Sequence, residues 1–333
     1  MKQYLLPNTK GSYKANLHAH TTISDGKLSP EELKALYKAN GYSVVAYTDH
    51  DVFIPHPELT DSDFLALSGV EIQFNGSNRF PGAIGEKKCH LCLIAKSADT
   101  VEQPCWREEY AYIGNAAKHR EQVKFCKDSY GFIREYTPEC INKLVAIAKE
   151  KGFFATLNHP VWSLESYEQY INYSEFDAFE IFNTACEMLG FTTASPAIYD
   201  DMLRSGKRIF AVAADDTHNT GDCFGGFVMI KADELKYDAV TKALADGDFY
   251  ASTGPLFQEI YVEDGKLYVR TSDVVWGGLT TDARKSKCIR SQNGEALNEA
   301  VFALDPAWKY FRITVRDAHG NFAYSKAFFT EEL

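Results

Sequence analysis

The sequence predicts an α/β fold with a largely parallel sheet over its first three quarters, joined to a small all-β module. Three observations point there. Short apolar runs alternate with amphipathic stretches of helical period as far as about residue 250. After Ser252-Thr253-Gly254-Pro255 this rhythm gives way to short strand runs separated by turn residues. The chain, at 333 residues with 45% hydrophobic and 24% charged residues, has the length for more than one ordinary domain and the composition of a globular protein.

Asn16-Leu17-His18-Ala19-His20 ends the first strand. Ser29-Pro30-Glu31-Glu32 opens a helix, with Ser29 as N-cap, Pro30 at its first position and Glu32 closing a capping box. That helix runs through Leu33, Leu36 and Tyr37 and stops at Gly41, and Ser43–Tyr47 is the next strand. Further strands are expected at Leu65–Phe74, Cys89–Ala95, Phe153–Leu157, Ala178–Phe182, Ile209–Ala214 and Gly226–Ile230. Helices are expected over Glu108–Cys126, from Thr137-Pro138-Glu139 to Gly152, over Ala197–Ser205 and over Tyr237–Ala245. With this many units a barrel and an open sheet fit equally well. In the tail, Asp264-Gly265 between two apolar runs marks a hairpin, and Asn293-Gly294 marks a second turn. Short strands follow at Phe311–Val315 and Ala323–Phe329. The expected division is 1–255 and 256–333.

A net charge of -11 lacks the electrostatic footprint of a general nucleic-acid binder. It leaves room for a local basic site. Arg107, Arg120 (in Lys118-His119-Arg120) and Arg134 are candidates to meet a substrate phosphate, or else belong to a solvated face. The N-terminus has no apolar run of signal-peptide type, and no stretch approaches the roughly 18 apolar residues of a membrane span. A cytoplasmic location with reduced thiols is expected. Cys89 and Cys92 have CxxC spacing but flank His90 in an apolar strand and lack a second pair, so they read as structural thiols.

The chemistry concentrates at the strand ends. His18 and His20, two apart on a strand, face the same way. Thr48-Asp49-His50-Asp51 follows a strand, where α/β folds place their sites. Glu71 stands in an apolar run, where a carboxylate is costly unless paired or metal-bound. His90, Asn158-His159-Pro160 and Asp215-Asp216-Thr217-His218 complete the series. Each has an ordinary reading alone, as core, cap or turn. Six in chain order at strand ends argue for one shared site. Imidazole and carboxylate with no need of thiolate suit Zn, Mn or Fe, and one tetrahedral ion would leave half the donors idle. Asp49 and Asp51 either orient ligands or serve as turn residues. His56, His119 and His319 match no metal motif, and His319 is expected in a surface turn.

With His18-x-His20, Asp25-Gly26, Thr48-Asp49-His50, Gly69-Val70-Glu71, His90, His159 and Asp216-x-His218, the sequence resembles the PHP family, the polymerase-and-histidinol-phosphatase metal-dependent phosphoesterases, over about residues 10–255. The resemblance implies a distorted (β/α)7 barrel with up to three divalent ions at the strand ends. It assigns His18, His20, Glu71 and Asp216 to a first ion and its bound hydroxide. Glu71 bridges to a second, also held by His90 and His159, and Asp25, His50 and His218 hold a third. Asp216 is preferred to Asp215 because its spacing to His218 repeats that of His18 and His20. The β tail is similar to that of carbaryl-hydrolase-like metallohydrolases.

The implied activity is hydrolysis of a small phosphomonoester or phosphodiester by a metal-bridging hydroxide. The rivals are a carbamate, amide or ester hydrolase using the same cluster, and a non-catalytic metal-binding module that docks a partner through its tail. Pocket walls are expected from segments 75–87 and 97–136. Trp106, Tyr110 and Tyr112 in the second segment either cap the site or pack as core.

Overall fold

The computed structural model describes residues 2–76 and 87–333. Its elements fall in the expected order. Strands β1 (Gln3–Tyr4), β2 (Gly11–Asn16), β3 (Val44–Tyr47), β4 (Leu65–Asn75) and β5 (Lys88–Ala95) come first. They are followed by β6 (Phe153–Asn158), β7 (Ala178–Asn183), β8 (Phe210–Ala214), β9 (Phe227–Ala232) and β10 (Phe249–Ser252). Helices α1 (Pro30–Ala39), α2 (Pro138–Glu150), α3 (Tyr167–Tyr170), α4 (Thr184–Met188), α5 (Pro196–Arg204) and α6 (Tyr237–Asp246) lie between them. The tail contributes β11 (Phe257–Glu263), β12 (Lys266–Val274), β13 (Trp276–Thr281), β14 (Lys287–Arg290), β15 (Leu297–Ala303), β16 (Tyr310–Arg316), β17 (Phe322–Tyr324) and β18 (Phe328–Phe329). No helix among the described residues is long and apolar enough to cross a membrane.

α1 forms as its sequence dictates: the Ser29 side chain accepts from the Glu32 N–H, and the Glu32 carboxylate accepts from the Ser29 N–H. Its Leu33 and Tyr37 pack with Val45 and Tyr47 of β3, while Val44 and Ala46 face the opposite core. A strand buried on both faces carries no polar alternation, which is why β3 reads as an unbroken apolar run. α2 buries Ile141, Leu144, Val145 and Ala148 in one core with Phe153 and Ala155 of β6.

A mixed α/β architecture with a large sheet is present, but the sheet is less parallel than expected. β2, β3 and β4 are parallel, as are β6, β7 and β8. β5 runs antiparallel to both β4 and β6. Asn75 at the end of β4 and Lys88 at the start of β5 are ladder partners. There is also no closed barrel among the described residues. β9 lies antiparallel along Gly11–Ala15 and takes up the edge of β2 that a closing strand would need. The segment after β8 meets the segment after β2 only beyond that point, at a parallel bridge between Ala19 and Thr217. The ladder instead continues from β9 through β10 and β17 to β16, β13 and β14 of the tail. A separate sheet, β1-β11-β12-β15, packs on this end around Phe257, Ile260, Leu267, Phe302, Phe311 and Ile313. The Asp264-Gly265 hairpin is present, with φ of 49° and 72° at its two turn residues.

The helix expected over Glu108–Cys126 is absent. Three single 3-10 turns, Glu108–Tyr110, Ala116–Lys118 and Arg120–Gln122, occupy the stretch. Gly114, within the stretch, takes φ +57° packed against the backbone of Ser24, which interrupts a continuous helix.

Behind β5, Glu165 is buried with Tyr136 and Tyr173 donating to one carboxylate oxygen, while the other oxygen has no partner. Burial raises its pKa from 4.5 to about 8, against the pull of the two tyrosines. The folded chain therefore keeps a proton that the unfolded chain has lost above pH 4.5. This contribution to stability is whole below pH 4.5, declines as pH rises, and is gone above about 8. It amounts to about 3–5 kcal/mol. Glu165→Gln mimics the protonated acid. Urea titrations from pH 5 to 9 should show a flatter profile for this variant and greater stability than wild type at pH 8.5. Parallel profiles would exclude the effect.

Candidate metal centre

Nine side chains named from the sequence meet at one edge of the sheet. His18, His20 and Asp25 follow β2, and His50 follows β3. Glu71 lies in β4, His90 in β5, His159 just after β6, and Asp216 and His218 after β8. Because β5 is antiparallel, the start of this strand reaches the edge where its neighbours end, and Gln73 of β4, His90 and Asn158 of β6 lie side by side. Seven of the nine are buried, and Asp25 and His218 are half-buried at the mouth.

Glu71 is the hub. Its carboxylate oxygens lie 3.2 Å from His18 Nε2, 3.4 Å from His20 Nε2, 3.1 Å from His50 Nδ1, 3.2 Å from His90 Nδ1 and 3.3 Å from His159 Nε2. Asp216 Oδ1 stands 3.1 Å from both His18 Nε2 and His20 Nε2. Asp25 lies 3.6–3.8 Å from His218, His50 and His20. Burial opposes charge on these groups, yet the mutual field prevails at several. His18, surrounded by Asp216, Glu71 and Glu180, is held well above the usual imidazole range. Glu71 and Asp216, among imidazoles, are held well below the usual carboxylate range. Burial, reinforced by the neighbouring His20, pushes His50 well below its ordinary value.

The donor atoms group as His20, Asp25, His50 and His218; as His18, His159 and Asp216; and as Glu71, His90 and His159, each set within 4.8 Å. The expected second set is thus brought together. The third gains His20, and His159 rather than His20 joins His18 and Asp216. A further set, His18, Glu71 and Cys92, includes a thiol, but burial raises the Cys92 pKa and so favours the neutral form. All eight cysteines are free. The residues fit divalent ions: among the described residues, buried His50 Nδ1 and Asp216 Oδ1 have only other candidate ligands near them, at 3.1 Å and without hydrogen-bond alignment, an arrangement that is costly unless something binds them. His159 and Asp216 also hold left-handed backbone, at φ 26° and 55°, the kind of strain that gathers at functional sites.

Outer partners fix the ligand atoms. Glu180 Oε1 is 2.7 Å from His18 Nδ1, which leaves Nε2 facing the cluster. Gln73 Oε1 accepts from His90 Nε2, and the Asp216 carbonyl accepts from His218 Nδ1. Asn158 Nδ2 donates to Glu71 Oε1 at 2.6 Å. Asp49 acts on the loop of Asp25, accepting from the Thr21 and Ser24 N–H and hydroxyl groups. Asp51 turns away to a buried ion pair with Arg134 at 2.6 Å. Asp215 also turns away, accepting from Tyr37, Thr184 and three backbone N–H groups. Glu180 and Gln73 were not named from the sequence, and Asn158 was named only as the neighbour of His159. Glu180 carried the same signal as Glu71, a carboxylate inside an apolar strand. Glu180→Ala should leave His18 free to turn and lower metal affinity about 10–100-fold, read by chelator competition; unchanged affinity would exclude this role.

A cavity of about 410 Å³ opens over the cluster. None of Arg107, Arg120 and Arg134 lines it. Arg107 pairs with Glu109, Arg120 donates to the Ala111 carbonyl at 2.9 Å, and Arg134 is sealed against Asp51. The lining cation among the described residues is Lys88, missed because one lysine at a strand start carries no pattern. From segment 97–136 it is Ile113 that reaches the cavity. Trp106 is buried in a stack with Phe125, and Tyr110 covers Arg134. Of segment 75–87, residues 77–86 lie outside the described residues. His56, His119 and His319 are away from the cluster, and His319 sits in an exposed turn.

No family model matches the chain. Over 70 residues the chain is 40% identical to a 5′-3′ exoribonuclease of Haemophilus influenzae, a match spanning 20% of this chain and 26% of that enzyme's length. The structure is similar to a two-domain protein of Bacteroides vulgatus containing a predicted PHP-like metal-dependent phosphoesterase. That pair has a TM-score of 0.46 and 13% identity, with 98% of each chain covered. It is also similar to an amidohydrolase of Chromobacterium violaceum (TM-score 0.41, 15% identity, 62% of this chain and 88% of that one). A lesion-specific endonuclease of Pyrococcus furiosus matches as well (TM-score 0.39, 14% identity, 71% of this chain and 56% of that one).

Proposed function

We propose that the chain is a PHP-like metal-dependent hydrolase that cleaves a small phosphomonoester or phosphodiester. Residues 1–255 would form the hydrolase, and 256–333 a β-sandwich-like appendage. The observation that carries this reading is the Glu71 hub, one buried carboxylate within 3.1–3.4 Å of five imidazole nitrogens. The proposed ligands are His18, His20, Asp25, His50, Glu71, His90, His159, Asp216 and His218, and the ions up to three of Zn, Mn or Fe. When bound, such ions supply Lewis acidity and an activated water.

The protein's own part is positional and electrostatic. Glu180, Gln73 and Asn158 hold the ligands in one orientation, and Asp49 pins the Thr21–Asp25 loop that carries the half-buried Asp25 to the mouth. The burial of Glu71, His90 and His159 excludes bulk water from the floor. Lys88 at the wall gives an anionic substrate its counter-charge.

The test is a panel of phosphomonoesters, phosphodiesters and carbamates, assayed with Mn²⁺ and Zn²⁺. Turnover of a phosphoester is expected, lost on chelation and regained on adding metal. Metal-replete protein that cleaves only carbamates would replace this reading with its rival.

A further inference from the structure

The cavity wall beside the histidines contains two groups with no task in holding ions. Lys88 stands at the first position of β5, one residue before Cys89 and two before His90. Trp162 lies on the turn after β6. Its ring centroid is 5.2 Å from that of His90 and 5.0 Å from that of His159, at 59° and 85°. Both line the cavity, and both are half-buried. They are tied together, since the Lys88 N–H donates to the Ser163 carbonyl at 3.0 Å. Ile113 and Leu189 line the same cavity, and Leu189 is 68% exposed. The lining thus combines a cation, an indole and aliphatic surface.

We propose that this cavity takes a phosphate ester whose alcohol carries a planar aromatic ring. Lys88 pairs with the phosphate oxygens, and Trp162, with Ile113 and Leu189, holds the ring. The proposal rests on the phosphoester reading above and narrows its substrate class. Hydrolysis forms a bond from water oxygen to phosphorus and breaks the bond from phosphorus to the alcohol oxygen. One proton of the water ends on the departing aromatic alcohol. Stacking on an indole discriminates a flat ring from a puckered one of the same size, because only the flat ring brings its whole face into contact.

Benzyl phosphate and cyclohexylmethyl phosphate share size and a primary alkoxide leaving group, and differ in planarity. Metal-loaded protein should favour benzyl phosphate by about tenfold in kcat/KM. Trp162→Leu should bring that ratio near one, and Trp162→Phe, which keeps a ring, should retain most of it. Lys88→Met should raise KM for both esters and leave the ratio alone. Phenylphosphonate and methylphosphonate, which cannot be hydrolysed as esters, give a readout free of turnover: calorimetry should show tighter phenylphosphonate binding that depends on Trp162. If the phosphonates behave so but neither ester is cleaved, the aromatic subsite stands and the phosphoesterase reading falls. If phenylphosphonate binding is the same in wild type and Trp162→Leu, or the ester preference survives Trp162→Leu, the aromatic subsite is overturned whatever the turnover.

Discussion

Replacing Glu71 by Gln is expected to cost at least one bound ion per chain and about 10³-fold in kcat/KM. Its carboxylate is the group shared by His18, His20, His50, His90 and His159. Gln has nearly the same shape and can still accept from Asn158 Nδ2, now 2.6 Å from Oε1. What it cannot supply is negative charge at the one point where five imidazoles converge. Removing one partner from a buried charge cluster costs about 3–5 kcal/mol, and about 1.4 kcal/mol corresponds to each tenfold in rate. The loss should therefore appear in the metal content and in kcat/KM together. Elemental analysis of the purified variant, alongside its activity at saturating Mn²⁺ or Zn²⁺, checks this. A variant with wild-type metal content and wild-type activity would show that Glu71 is a structural carboxylate and that the chemistry lies elsewhere.

Much of this site was legible because its residues violate expectation locally. Ionisable groups at the ends of apolar runs have no place in a core, although His18 and His20 lie just past β2 and not on the strand that their spacing suggested. The capping box of α1 was equally readable, since every part of it lies within four residues. The rest depended on contacts far apart in sequence. Leu91–Ala95 is buried on both faces, so nothing local distinguishes a parallel β5 from the antiparallel one observed. The entry of β9 along β2, which leaves the barrel unclosed, pairs Gly11–Ala15 with Val228–Ala232, more than two hundred residues away. Glu180 could have been found by the argument that found Glu71. Lys88 and Trp162 could not, because neither a lysine at a strand start nor a tryptophan in a turn has a pattern until the fold supplies its neighbours. The helix expected over Glu108–Cys126 failed at Gly114, whose left-handed backbone against Ser24 interrupts the stretch.

Two adjacent aspartates should separate stability from chemistry. Asp215 is buried and accepts from the Tyr37 and Thr184 hydroxyls at 2.7 and 2.6 Å, and from the N–H groups of Phe224, Gly225 and Gly226 at 2.8–3.0 Å. It thereby ties the loop before β9 to α1 and to the start of α4. Asp216, at φ 55°, is turned the other way, with Oδ1 against His18 and His20 and with no hydrogen-bond partner. Asp215→Ala strands three backbone donors. The two hydroxyls can rotate to new acceptors and the backbone cannot; one of the three donors is buried and two are half-buried, so at about 1–3 kcal/mol for a fully buried group and less for the others the loss should be about 3–5 kcal/mol. In a chain of this size that is roughly 5–10 °C in Tm. Asp216→Asn keeps the shape and the Asn183 contact on Oδ2 while removing the charge that faces the histidines. With chelator present, thermal unfolding should place Asp216→Asn within a few degrees of wild type and Asp215→Ala well below it. With metal present, Asp216→Asn should lose the stabilisation that metal gives the wild type, and with it activity. If Asp215→Ala instead melted with wild type in chelator and failed only when metal was added, the two residues would exchange roles and Asp215 would belong to the centre.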